Sequence, residues 1–266
     1  MEYPIRHALI IAAGSGMRFG KAAQCRPKPL LEVAGIPLIR RSLETARKAG
    51  LDQFTVVTGY CAEKLENFLR QELSGDMGIR TVRNAKWDRP NGLSVLQAKG
   101  YLPEPFVLLM ADHLFDAGIL RELLVTPLSD GHCRLAVDFH PESILDLADA
   151  TKVEVIDGNI VNIGKELDTY NGIDTGIFLC SHQIFAALET AVLRGEENLS
   201  DGIQELARRR LMEAMDIGRS FWHDIDDEAS LREGERRLRQ IRGDGRPLYL
   251  DQSKEGSFLV ASSLKG

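Results

Sequence analysis

The chain has 266 residues, 44% hydrophobic and 27% charged, which is ordinary folded-domain composition and leaves out disordered, collagenous and coiled-coil classes. Its net charge of −6, from 33 Lys and Arg against 39 Asp and Glu, argues against nucleic acid as a partner, because backbone-phosphate binding needs a basic surface. No uncharged apolar run approaches the ~18 residues of a membrane span, residues 1–6 carry no signal-peptide pattern, and Cys25, Cys61, Cys133 and Cys180 show no CxxC spacing. The expectation is a cytoplasmic protein with reduced, mostly buried thiols.

In chain order, residues 8–13 form a short apolar run ending in Gly14, the pattern of a buried parallel strand. Residues 37–49 place Leu38, Ile39, Leu43 and Ala46 at helical spacing. A strand over 54–59, a helix over 62–73, a strand over 79–82 and a helix over 93–102 follow. Residues 106–111 are a third apolar strand running into Asp112-His113, and a helix begins at 119–124. Strands and helices alternating at this rhythm predict βαβ units and a Rossmann-like, mostly parallel sheet flanked by helices. Further on, 135–139 reads as a strand, and 151–156 and 159–163 alternate around Asp157-Gly158, a favoured hairpin turn. This hairpin predicts a small β subregion covering a substrate. A strand over 173–180, helices over 184–193 and 203–210, short strands over 212–217 and 221–225, and a charged helix over 228–242 complete the pattern. Residues 1–242 are expected to be one domain and residues 243–266 a linker or tail.

Three groups of residues carry chemistry. Ala12-Ala13-Gly14-Ser15-Gly16-Met17-Arg18 follows the first strand directly. A glycine-rich loop there lets backbone N–H groups approach an anionic or planar ligand, although a sharp strand-to-helix turn uses glycine equally well. It has neither the Gly-Lys-Ser/Thr of a P-loop nor the third glycine of a dinucleotide fingerprint at its place. Lys28, stiffened by Pro27 and Pro29 and ten residues after Arg18, would with that Arg suit a triphosphate. Asp112, at the carboxyl end of a parallel strand, faces the ligand crevice and can hold Mg²⁺ through oxygen. In Trp222-His223-Asp224-Ile225-Asp226-Asp227, strand alternation would put Asp224 and Asp226 on one side, an arrangement that needs a cation. Lys152 and Lys165 on the two arms of the hairpin offer two cations to a phosphate monoester.

The segment from Leu9 through Gly14, Gly16 and Arg18 to Pro27-Lys28-Pro29-Leu30 resembles the sugar-nucleotidyltransferase family, with Met17 where the family usually has Thr. Within it, Asn91-Gly92-x-Ser94, Met110-Ala111-Asp112-His113, Ala150-Thr151-Lys152-Val153, Ile163-Gly164-Lys165 and Ile173-Asp174-Thr175-Gly176 resemble, in order, cytidylyltransferases acting on inositol 1-phosphate. The resemblance implies transfer from CTP to a phosphorylated polyol with release of pyrophosphate and a need for Mg²⁺. It implies catalytic roles for Lys28 and Arg18, and nucleotide contacts from Ala12, Ala13, Gly14, Ser15, Gly16, Asn91, Ser94 and Asp112. It places His113, Lys152, Lys165, Asp174 and Thr175 at the acceptor and Asp112, Asp224 and Asp226 on the metal. It further implies fusion to, or cooperation with, a membrane CDP-alcohol phosphotransferase, for which residues 243–266 would be the linker. Phosphocholine or a phosphonate is the alternative acceptor, and a silent nucleotide-sensing domain or a nicotinamide-linked dehydrogenase the alternative class.

Overall fold

The computed structural model describes residues 5–19, 26–73, 77–140 and 146–242, so Cys25 and the expected linker at 243–266 lie outside the described residues. The strands and helices in chain order are β1 (His7–Ala12), β2 (Glu32–Val33), β3 (Ile36–Pro37), α1 (Leu38–Lys48), β4 (Gln53–Thr58), α2 (Ala62–Glu72), β5 (Gly78–Arg83), α3 (Gly92–Gln97), β6 (Phe106–Met110) and β7 (His113–Phe115). There follow α4 (Ala117–Val125), β8 (Cys133–Asp138), β9 (Lys152–Ile156), β10 (Asn159–Gly164), β11 (Gly172–Cys180), α5 (Gln183–Leu193), α6 (Leu199–Arg208), β12 (Met212–Asp216), β13 (Trp222–Asp224) and α7 (Glu228–Arg242).

The main sheet has the order β5-β4-β1-β6-β11-β8-β12-β10-β9. Strands β5, β4, β1, β6, β8, β12 and β9 run one way, and β11 and β10 run against them. The parallel half is the βαβ pattern read from the sequence, while the second half is mixed because β11 enters antiparallel between β6 and β8. The β9–β10 hairpin turns at Asp157 and Gly158, whose φ angles of +49° and +75° are those of the favoured two-residue turn. It continues the sheet at its edge and also pairs with β11.

Strand β1 shows why the sheet is covered on both faces. Its Ala8, Ile10 and Ala12 pack with Ile39 and Leu43 of α1, Leu65 of α2 and Leu120 of α4. Leu9 and Ile11, pointing the other way, pack with Val95 of α3, Leu188 of α5 and Ile203 of α6. A third cluster of Phe19, Leu31, Val33, Leu38, Leu114 and Ile225 ties the loop after β1 to β7 and to the chain after β13. Cys133 and Cys180 are buried free thiols and Cys61 is half-buried. No helix among the described residues is long and apolar enough to cross a membrane.

Between β8 and β12, Arg134 faces Glu213 in register, with Nε 2.9 Å from a carboxylate oxygen, and its Nη1 donates to the Thr126 carbonyl at 2.9 Å. Burial works against the Glu213 charge, yet the Ser129 N–H and the guanidinium hold its carboxyl below its ordinary value. Glu213→Gln is expected to cost ~3 kcal/mol, because it leaves a buried guanidinium without its counter-charge. The stabilisation from Glu213 is present above its ordinary value near 4.5 and fades as pH falls through the depressed folded value. Thermal melts from pH 3 to 7 check this: the gap between wild type and variant should be widest at neutral pH and narrow in acid.

Candidate active site

The site forms where β1 and β6, parallel neighbours, release their chains at one edge of the sheet. From β1 the chain enters the loop to Phe19, whose N–H donates to the Gly16 carbonyl at 3.0 Å. From β6 it reaches Asp112 and then β7, which pairs antiparallel with β13 and sets His113 opposite Asp224. The Ile225 N–H donates to the Asp112 carbonyl at 3.1 Å and closes that pairing. This small ribbon is what brings two acidic motifs, far apart in the sequence, into contact.

Lys28 opens a single helical turn between two prolines and is held from below by Gly16. Gly16 has φ +64°, and a Cβ there would lie 2.8 Å from the Lys28 Cβ, so only glycine lets the loop close over this lysine. The ammonium is 2.6 Å from Asp112 Oδ2 and 2.8 Å from Asp226 Oδ1. Arg18 pairs with Asp226 at 2.8 Å and with Asp149, which also takes the Lys165 ammonium. Burial tends to lower the Lys28 pKa, but Asp112, Asp224 and Asp226 together raise it above its ordinary value. Burial likewise works to raise Asp112, and the Lys28 charge overrides it, holding the carboxyl at about 2. On Asp224 burial outweighs the pull of the nearby His113 and Lys28 charges and lifts the carboxyl to about 7.

Asp112 Oδ1 and Asp224 Oδ1 are buried and make no hydrogen bond. Unpaired buried carboxylate oxygens are costly unless a cation meets them, so these two residues fit a metal ion. Asp224 and Asp226 face the same cavity and interact, as the sequence predicts, but not through strand alternation. Strand β13 ends at Asp224, and Asp226 sits in the turn into α7, its N–H donating to Ser230 Oγ at 2.8 Å. Its carboxylate bridges Lys28 and Arg18.

A cavity of about 400 Å³ opens beside these groups, and Arg18, Asn91, Asp112, His113, Lys165, Asp174, Asp224 and Asp226 all line it. Asn91 accepts the Leu199 N–H at 2.9 Å, so it also caps the entry to α6. Burial raises Asp174 to about 6, although the Gly176 N–H donates to its carboxylate at 2.7 Å. Ala12 and Ala13 end β1 with their side chains in the core, and a Cβ on Gly14 would meet nothing within 4 Å. Ser15 and Gly16 follow in the same loop, half-buried.

Lys28 and residues 12–16 lie outside the cavity lining, and Ser94, Thr175 and Lys152 are engaged away from it. Ser94 is a buried residue of α3, and its hydroxyl accepts from Asn84 Nδ2 at 3.0 Å. Thr175 is fully buried and its hydroxyl donates to the Ala136 carbonyl at 2.7 Å, because it alternates with Asp174 along β11. Lys152 turns along the hairpin, donating to the Lys165 carbonyl at 2.6 Å with its ammonium 5.7 Å from the Tyr170 ring centre. Sequence reasoning missed Asp149, the carboxylate that gathers Arg18 and Lys165. It lies in a loop without periodicity, and no motif marks it.

The sequence profile of the MobA-like NTP transferase domain matches residues 8–208. A bifunctional IPC transferase and DIPP synthase from Rubrobacter xylanophilus is 36% identical over 231 residues, covering 85% of this chain and 50% of that protein. The Archaeoglobus fulgidus protein of the same name is 30% identical over 240 residues, 90% of this chain and 45% of that protein. The chain thus spans about half the length of the curated relatives it matches. Among solved structures, the inositol-1-phosphate CTP transferase from T. maritima aligns with a TM-score of 0.78 at 26% identity, over 92% of this chain and 100% of that one. A UDP-glucose pyrophosphorylase complexed with UDP-glucose shares the fold, with a TM-score of 0.77 at 20% identity over 90% of this chain and 100% of that one.

Proposed function

The chain belongs to the MobA-like NTP transferase domain family, and on that premise we propose that it transfers a cytidylyl group from CTP to inositol 1-phosphate, giving CDP-inositol and pyrophosphate. The observation that carries this reading is the Lys28 ammonium held between Asp112 and Asp226, two carboxylates that line a polar cavity. The likeness to proteins named as IPC transferases and as an inositol-1-phosphate CTP transferase supplies the nucleotide and the acceptor.

In the proposed reaction an oxygen of the acceptor phosphate attacks the α-phosphorus of CTP in line. A new P–O bond forms as the bond from the α-phosphorus to the α,β-bridging oxygen breaks, and pyrophosphate leaves with the electron pair. The acceptor phosphate is already a dianion, so no side chain has to remove a proton. Catalysis is then positioning and charge stabilisation. Lys28 and Arg18 meet the phosphate oxygens, where charge moves toward the leaving group. The loop from Ala12 to Gly16 offers backbone N–H groups to the nucleotide, with Asn91 at the cavity wall. Lys165 receives the acceptor phosphate, and Asp174 accepts hydroxyl hydrogen bonds from the polyol. Asp112 and Asp224 would hold Mg²⁺, which supplies charge neutralisation of the triphosphate when bound.

Residues 1–242 are the catalytic unit in this reading, and its product would serve a membrane CDP-alcohol phosphotransferase at the cytoplasmic face. A pyrophosphate-release assay across the four ribonucleoside triphosphates and a panel of phosphate monoesters tests the reaction. The expected result is turnover with CTP and inositol 1-phosphate well above every other pair. Preference for phosphocholine would overturn the acceptor, and binding of CTP without turnover on any acceptor would overturn the enzyme.

A further inference from the structure

We propose that His113 is a third ligand of the cation site formed with Asp112 and Asp224, and that its imidazole gives this site a preference for a first-row divalent metal such as Mn²⁺ or Co²⁺ over Mg²⁺. The inference deepens the reading above and rests on it for the presence of a cation. His113, Asp112 and Asp224 each present one ligand atom, and these atoms all lie within 4.8 Å of one another.

The spacing is informative. His113 Nε2 is 3.6 Å from Asp112 Oδ1 and 3.4 Å from Asp224 Oδ1. Both distances exceed the 2.7–3.2 Å of an N–H···O hydrogen bond. The ring is close enough to balance the two carboxylates electrostatically, but at these distances it bonds neither. Both oxygens are left buried and without a hydrogen-bond partner, facing the same nitrogen. Three ligand atoms converging on one point without touching each other is the arrangement a shared ion requires.

The ring is also held in the manner of a metal ligand. Its Nδ1 lies 2.7 Å from the Thr175 carbonyl, an acceptor only, so Nδ1 carries the hydrogen there. With Nδ1 engaged there, and with the Trp222 Nε1 3.4 Å from the same atom, Nε2 is the ring nitrogen turned to the two carboxylates and the one that can ligate a cation. Gly176, at φ +70°, lets β11 come against the ring: a Cβ there would lie 2.4 Å from the His113 Cε1. Trp222 packs edge-on at 5.7 Å between ring centres and closes the remaining side. Lys28 takes the other Asp112 oxygen, so each oxygen of that carboxylate has its own neighbour.

The chemical consequence follows from ligand type. Sites of carboxylate and water alone suit Mg²⁺, whereas a neutral imidazole favours first-row transition ions. One nitrogen among two carboxylates tips the preference without excluding Mg²⁺ at cellular excess.

The test is Mn²⁺ binding to the full chain in the presence of CTP and the absence of acceptor, followed by electron paramagnetic resonance. Pulsed spectra of the wild-type protein should show ¹⁴N modulation from a coordinated imidazole. In His113→Gln that modulation should vanish and Mn²⁺ affinity should fall about 10-fold or more, with Mg²⁺ affinity, measured by competition, falling less. The wild-type modulation does not depend on how well the variant folds. Bound Mn²⁺ that is lost in Asp112→Asn yet shows no nitrogen modulation in wild type would overturn the role of His113 and leave the proposed reaction standing. Absence of any Mn²⁺ or Mg²⁺ binding with CTP would overturn the cation reading itself, and this inference with it.

Discussion

Asp112→Asn is expected to lower kcat by about 10²- to 10³-fold, the scale of losing one preorganised charge at a phosphate transition state. The carboxylate serves two neighbours at once. Its Oδ2 receives the Lys28 ammonium at 2.6 Å, and its Oδ1, buried and unpaired, faces Asp224 and His113. Because Lys28 holds the Asp112 carboxyl at about 2, the group is charged at any working pH, and the amide removes a full negative charge. The amide nitrogen would also turn a donor toward either the ammonium or the cation, and neither can accept it. Lys28 retains Asp226 at 2.8 Å, so the fold should tolerate the change and the loss should fall on kcat. Steady-state kinetics with a divalent titration checks this. A kcat within about threefold of wild type, or wild-type turnover undiminished in excess EDTA, would remove Asp112 from the machinery.

Much of this site is visible in the sequence, and the part that is not has a definite cause. The apolar runs of β1 and β6 and the helical spacing of α1 and α2 are local patterns, and the sheet follows them. Lys28 stands out because two prolines and a glycine loop fix its backbone before any tertiary contact is made. What no local pattern marks is the pairing of β7 with β13. The strand His113–Phe115 is three residues long, and nothing in it shows that Asp224 will lie opposite His113. The same limit hides why Asp226 meets Lys28 and Arg18 as well as Asp224, since alternation holds only while a strand lasts, and β13 stops at Asp224. Lys165 and Arg18 both stand out in the sequence as candidate cations for a phosphate. Their shared carboxylate, Asp149, does not, because its role depends on two partners brought from other elements.

Lys28→Ala is expected to lower kcat by about 10²-fold or more while raising the KM for CTP by a smaller factor. The distinction rests on where the ammonium stands. It is 10% exposed, opposite Asp112 and Asp226, in a surrounding that magnifies each charge interaction. A cation fixed there gains most when negative charge builds on the leaving pyrophosphate, and less when the substrate first binds. Removing it also leaves three carboxylates, Asp112, Asp224 and Asp226, without the ammonium that balances them, so a lowered melting temperature should accompany the loss. Lys28→Arg should not restore the rate. The Gly16 backbone sits against the stem of Lys28, and a forked guanidinium cannot take the place of a compact ammonium between two carboxylates set for it. Kinetics on both variants, with melts to confirm folding, separate the outcomes. If only KM moves, Lys28 is a ground-state anchor for the triphosphate. If Lys28→Ala turns over at the wild-type rate, the loop after β1 holds no catalytic lysine, and the charge that stabilises pyrophosphate would come from Arg18 and from a cation at the proposed Asp112–Asp224 site.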